Sequence, residues 1–456
     1  MSDRFNNTLT HACPVFSRFS SFFSRQINRE IWALAIPNII SNISVPLLST
    51  VDTALMGRLS PAHLGAVGLA SMIFNFMYWN FGFLRMGTTG LTAQFYGADD
   101  IRQVMYTLWR ALALGMTIAV VLFIFRQPFL DLAIVAFQVQ PEQIEMVKAY
   151  FYTRIWDVPA YMAMLTMMGW FFGMQNAIFP LILTAFINIL NMGMSYYLVA
   201  HQGMEIRGVA LGTVIAQYLG CVLALILFMR KYRKLTFSMN IRELFDIATF
   251  RRFILMNRDL FLRTILLTFV FAFFYSQSST FGVLSLAVSV VIMQFVNWMS
   301  YGVDGLAFAA ESIVGKYAGA GDERATRQSI GLIFIWGGLF AVLYAAVYGV
   351  FYEDLFLVFT DEVDVIREGK GYWYWLVLIP IMGFASYVWD GVFIGLTASR
   401  SMRNAMILPF ILFLLTFYWT RNSLGLHSLF LALSVFLLAR GVVQSWMYSR
   451  RGLHLE

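Results

Sequence analysis

Charge is what this chain has least of. Only 12% of its 456 residues are Asp, Glu, Lys or Arg, where a soluble domain carries about 25%. That deficit excludes an ordinary water-exposed surface. Cysteine is nearly absent: Cys13 and Cys221 are the two, too few for a disulfide framework or a thiolate metal site. Five scattered histidines form no ligand cluster. A glycine-rich phosphate loop, a metal-binding histidine pair and a nucleophile motif are all missing, so neither an enzyme nor a cofactor is expected. The first thirty residues also lack the apolar run and small-residue cleavage site of a signal peptide.

Apolar residues take the place of charge, at 59% of the chain. About 20 mostly apolar residues cross a bilayer as a helix. Twelve such spans are predicted, at 31–57, 62–96, 102–125, 150–174, 178–200, 207–229, 253–276, 282–316, 328–350, 371–396, 402–420 and 425–447. The second and eighth exceed what a bilayer needs and should tilt or protrude. The net charge is +7, and its cations lie between spans rather than in a nucleic-acid-binding patch. Arg102, Arg230, Lys231, Arg251, Arg324, Arg400, Arg403 and Arg450 all follow even-numbered spans, whereas the longest opposite loop is acidic from Glu353 to Glu368. The positive-inside rule therefore puts both termini in the cytoplasm of a multi-pass protein of the cell membrane.

The chain repeats itself at an interval near 222. Ala93 to Asp100 aligns with Gly315 to Asp322, Gly173 with Gly395, and Pro159 with Pro380 one residue closer. Six spans per repeat is an even number, so both halves enter the bilayer the same way. An all-α membrane protein is expected, with two six-helix lobes related by a pseudo-two-fold axis along the membrane normal. The expected organisation is a cytoplasmic tail at 1–30, an N-lobe at 31–230, a basic linker at 231–252, a C-lobe at 253–449 and a second tail at 450–456.

One acid stands out. Asn38, Asn42, Val45, Ser49 and Asp52 share a helical face in span 1. A carboxylate inside a membrane costs several kcal/mol unless it is partnered, wet or protonated. Asp52 is therefore either a proton or cation site or a carboxylate buried against backbone donors. Asn188, Asn191 and Ser195 align on span 5, as do Thr213 and Gln217 on span 6; a site and plain interhelical hydrogen bonding both fit that pattern. Pro37 on span 1 permits a kink, static or mobile.

Val51 to Gly57, Leu84 to Gln94, Asn257 to Asp259, Tyr301 to Phe308 and Trp389 to Thr397 resemble the multidrug and toxic compound extrusion (MATE) transporters, in their DinF branch. The resemblance covers nearly the whole chain beyond the tail. It implies export of small cationic amphipathic molecules in exchange for protons or sodium ions. It also implies an N-lobe ion site of Asp52, Asn191 and Thr213, and a bend of span 1 at Pro37. Ser195 departs from the pattern, because that branch usually has a second aspartate there. One carboxylate with neutral ligands suits a proton better than sodium, since hard cations favour charged oxygens.

The C-lobe carries more charge. Asp259 and Arg263 are four apart on span 7 and are expected to pair. Asp304 and Glu311 on span 8 and Asp390 on span 10 join them, either as a network bracing span 7 against spans 8 and 10 or as a second proton-linked or substrate site. Acids, methionines and aromatics favour a cationic amphipathic ligand. The reading is thus a monomeric proton-coupled antiporter working by alternating access, with Asn42 and Gln217 beside its cavity. Its alternatives are a sodium-coupled antiporter and a lipid-linked oligosaccharide flippase, for which Arg85, Arg258 and Arg263 would hold the diphosphate.

Overall fold

A computed structural model describes residues 24–57, 61–235, 240–244 and 246–454. Its helices are numbered here in chain order. The first half holds α1 (Arg25–Gly57), α2 (Pro61–Asn80), α3 (Phe83–Gly97), α4 (Ile101–Ile124), α5 (Arg126–Ala136), α6 (Ile144–Arg154), α7 (Val158–Gly173), α8 (Ile178–Ala200) and α9 (Glu205–Tyr232). A one-turn helix, Ile241–Leu244, precedes the second half. That half holds α10 (Ile247–Thr280), α11 (Val283–Gly319), α12 (Glu323–Val350), α13 (Tyr352–Phe359), α14 (Val363–Gly369), α15 (Trp373–Gly395), α16 (Ser399–Leu424) and α17 (His427–Arg451).

Ten stretches of the described residues are long and apolar enough to cross a bilayer. The other two spans are α1 and the α6–α7 pair, in which a 3-10 turn at Ile155–Asp157 lies just ahead of Pro159. Twelve spans in two six-helix lobes result. Side chains such as Val120, Leu339 and Trp419 are exposed on the outer faces, where lipid replaces water. Association between helices in lipid rests on close packing and polar contacts instead of the hydrophobic effect.

Two spans differ from expectation. Span 2 breaks at Phe81–Gly82 into α2 and α3, where the Phe81 amide turns back to the Tyr78 carbonyl; glycine is a poor helix former. Span 1 starts at Arg25, and its helix continues unbroken through Pro37. Residues 1–23 of the expected cytoplasmic tail lie outside the described residues.

The repeat is written in the backbone. Asp99 and Gly321 both adopt left-handed φ angles, of 55° and 71°, and stand 222 apart. Gln175 and Thr397 do the same at 58° and 55°, again 222 apart. Asp100 and Asp322, the next such pair, cap α4 and α12 by accepting from the amides of Gln103 and Ala325. Side chains have diverged at these turns, but each half leaves its second and fourth spans through the same geometry.

Candidate functional site

The polar faces of α1, α8 and α9 meet inside the N-lobe. Asn191 is buried and donates its amide to the Thr213 hydroxyl at 2.7 Å. Thr213 in turn donates to its own helix at the Val209 carbonyl, 3.1 Å away. The buried Ser195 hydroxyl donates to Asn191 Oδ1 at 3.5 Å. Asn188 donates to Ser44 Oγ at 3.3 Å, which sets α8 against α1. Gln217 keeps a buried oxygen, and Asn38 a buried amide nitrogen, without a hydrogen-bond partner among the described residues. The structure thus brings Asn188, Asn191, Ser195 and Thr213 to one locality. Asp52 is helical, two turns beyond Ser44 on α1; its side chain lies outside the described residues.

The C-lobe acids form only part of the expected network: Asp390 meets Arg263 across spans 7 and 10, but the pairing within span 7 is absent. Asp259 is not paired with Arg263. It accepts from Arg403 at 2.6 Å and from its neighbour Arg258 at 3.0 Å. Arg263 turns instead to Asp390 on α15. Asp390 also accepts from Arg440 at 2.7 Å and from Gln444 at 3.0 Å, both on α17. Arg263 and Arg440 are both buried, and the one Asp390 carboxylate compensates the two charges, as buried charges require. Asp390 therefore ties α10 to α15 and α17, and not to α11.

Glu311 has a different task. It accepts both terminal nitrogens of Arg85, at 2.9 and 3.1 Å, across the boundary between the lobes. Both side chains are buried, at 10% and 2% exposure. The guanidinium lies 3.9 Å from the centre of the Phe308 ring and 5.9 Å from that of Phe172. Asp304, two turns along α11, is half-buried within electrostatic reach of Arg85, Arg263, Arg440 and Glu311.

Further contacts close the same seam. Glu30 accepts from Lys316 at 2.9 Å and from Tyr317 at 3.0 Å. Gln175 donates to the Ser312 carbonyl and Gln94 to that of Gly395. Asn42 donates to the Tyr301 carbonyl at 3.2 Å. These contacts run from mid-span to the end of the molecule that carries Gly97 and Gly319. At that end the linker is clamped: Arg110 on α4 donates to the carbonyls of Leu244 and Glu243 and to Gln103. A cleft of 390 Å³ opens beside it between α3, α4 and α10.

Sequence reasoning missed Arg440, Gln444 and the partner of Arg85. An arginine in the last apolar span was the available signal for Arg440, since an intramembrane charge implies a partner. Nothing in the spacing ties residue 85 to residue 311.

The MatE family profile matches residues 37–197 and 260–419, one block in each lobe. DNA damage-inducible protein F of Escherichia coli is 35% identical over 451 residues, covering 95% of this chain and 96% of that protein. Protein DETOXIFICATION 45, chloroplastic, of Arabidopsis thaliana is 24% identical over 436 residues, covering 90% and 76%. Among solved structures, the eukaryotic MATE transporter AtDTX14 superposes with a TM-score of 0.83 at 15% identity, covering 95% and 97% of the two chains. The Vibrio cholerae MATE transporter VcmN in its bent form gives 0.80 at 18% identity, covering 94% and 98%. Two matched blocks, a full-length relative and a shared twelve-span fold place this chain in the MatE family of multidrug and toxin extrusion transporters.

Proposed function

We propose that this protein is a proton-coupled antiporter that exports cationic amphipathic compounds by alternating access, with Asp52 as the titrating group of the N-lobe. The observation that carries this reading is the all-neutral chain Ser195–Asn191–Thr213. Its hydroxyls and amide satisfy one another and leave Asp52 as the acid of that polar face. Such a set offers a sodium ion one charged oxygen, whereas a proton needs only one. Relatives named for multidrug resistance and toxin extrusion support the drug side of the exchange.

With both termini cytoplasmic, the closed seam faces inward. Asp52 then takes a proton from outside, the loss of charge lets the N-lobe cavity contract, and the substrate leaves outward. The lobes rock, and Asp52 releases its proton inside. One proton against one monovalent cation moves no net charge, so the driving force is the pH gradient, at about 1.4 kcal/mol per unit. Arg85, Arg258 and Arg263 are engaged by Glu311, Asp259 and Asp390, which leaves less cationic character for a diphosphate than a flippase needs. The test is tetraphenylphosphonium efflux from proteoliposomes under an imposed pH gradient, with and without sodium. Efflux should follow the pH gradient, ignore sodium and vanish in Asp52→Asn. Coupled efflux by that variant, or an absolute need for sodium, overturns the proposal.

A further inference from the structure

Glu311 and Phe308 together look like a receptor that is already filled. They sit one turn apart on α11, so carboxylate and ring face the same way. Between them lies a planar organic cation, the Arg85 guanidinium, held by two hydrogen bonds and stacked 3.9 Å from the ring centre. Carboxylate plus aromatic face is the chemistry that recognises amphipathic cations. Here the cation comes from the opposite lobe, tethered to α3.

The tether matters because the two halves of the pair belong to bodies that must separate. Arg85 lies 12 residues from the Gly97 end of α3, roughly 18 Å along the helix, and Glu311 lies 8 residues from the Gly319 end of α11. Opening the seam at that end draws α3 away from α11 and takes Arg85 with it. Glu311 and Phe308 stay with the C-lobe. A buried carboxylate stripped of its partner is costly, by about 3–5 kcal/mol, so the emptied site attracts another cation.

We propose that Glu311 and Phe308 form an inner binding site for amphipathic organic cations, occupied by Arg85 when the seam is closed and by substrate when it opens. Arg85 is then a built-in competitor that expels the substrate as the lobes close. The inference deepens the antiport reading and rests on its alternating-access step.

The test is equilibrium binding of tetraphenylphosphonium to the purified full-length protein in detergent, with no gradient. Removing the competitor in Arg85→Met should raise affinity about tenfold or more. Adding Glu311→Gln to that variant should return affinity to the wild-type level or below. No gain in a monodisperse Arg85→Met protein, or a gain that survives Glu311→Gln, overturns the inference. Should Arg85→Met fail to fold, Phe308→Leu keeps the ion pair and removes the aromatic face; weaker binding is then expected, and unchanged affinity overturns it. Asp52 is unchanged in every variant compared and the pH is held fixed, so a failure of proton coupling and a failure of this site give different results.

Discussion

Gly97 and Gly319 make the same contact from opposite sides. A methyl group on Gly97 would overlap the Lys316 carbonyl oxygen, and one on Gly319 would overlap that of Gln94. The two contacts exchange under the 222-residue repeat, so the pseudo-two-fold axis passes between the ends of α3 and α11. Backbone meets backbone there without side chains between, as small residues allow in lipid. Gly97→Ala and Gly319→Ala should each destabilise the closed seam by about 1–3 kcal/mol through overpacking. The buried Ala93 lies in the same seam. In a chain with Cys13 and Cys221 replaced by Ala, Ala93→Cys should react faster with an impermeant maleimide when either alanine is present. Gly193→Ala, where the added methyl meets nothing, should leave the rate unchanged.

Asp390 neutralises two buried arginines at once. Asp390→Ala leaves Arg263 and Arg440 uncompensated, a loss of about 3–5 kcal/mol that should appear as a marked drop in thermal midpoint. Adding Arg440→Met removes one of the stranded charges and should recover part of the loss. Additive losses in the double variant would mean that the three residues do not act as a unit.

The spans, their number and the internal repeat were legible in the sequence because bilayer thickness and repeat offset are properties of one dimension. The polar face of span 5 was legible for the same reason: Asn188, Asn191 and Ser195 follow helical spacing, and the structure joins Asn191 to Thr213 across helices. Pairing was not. Asp259 and Arg263 satisfy the spacing rule for an ion pair, yet each turns to a partner on another helix. Spacing reports only neighbours on the same helix. Arg85 and Glu311 are 226 residues apart, so only the packing of one lobe on the other could reveal them.

In the proposed function, Ser195 is the residue that favours a proton over sodium. Ser195→Asp would set a second carboxylate beside Asn191, supplying the charged oxygen that a hard cation requires. Tetraphenylphosphonium efflux by this variant should become stimulated by sodium, whereas the wild-type protein should not respond. A sodium response equal in the two proteins would remove Ser195 from the argument.

Arg110 holds the linker against the N-lobe through carbonyls at 243 and 244. Arg110→Ala should free that segment. Trypsin should then cut faster at the nearby exposed sites, Arg233 and Lys234, as followed by gel electrophoresis of the vesicle-bound protein. Equal rates of cutting would show that the clamp does not govern access to the linker.

The tie at Asp390 has a mechanical meaning as well. It welds α10, α15 and α17 at a common point, while the candidate N-lobe site is stitched by neutral hydrogen bonds that exchange at far lower energy. A transporter built this way has a stator and a spring. In the proposed cycle the C-lobe would swing as a block, and the work of a captured proton would be confined to the compliant half.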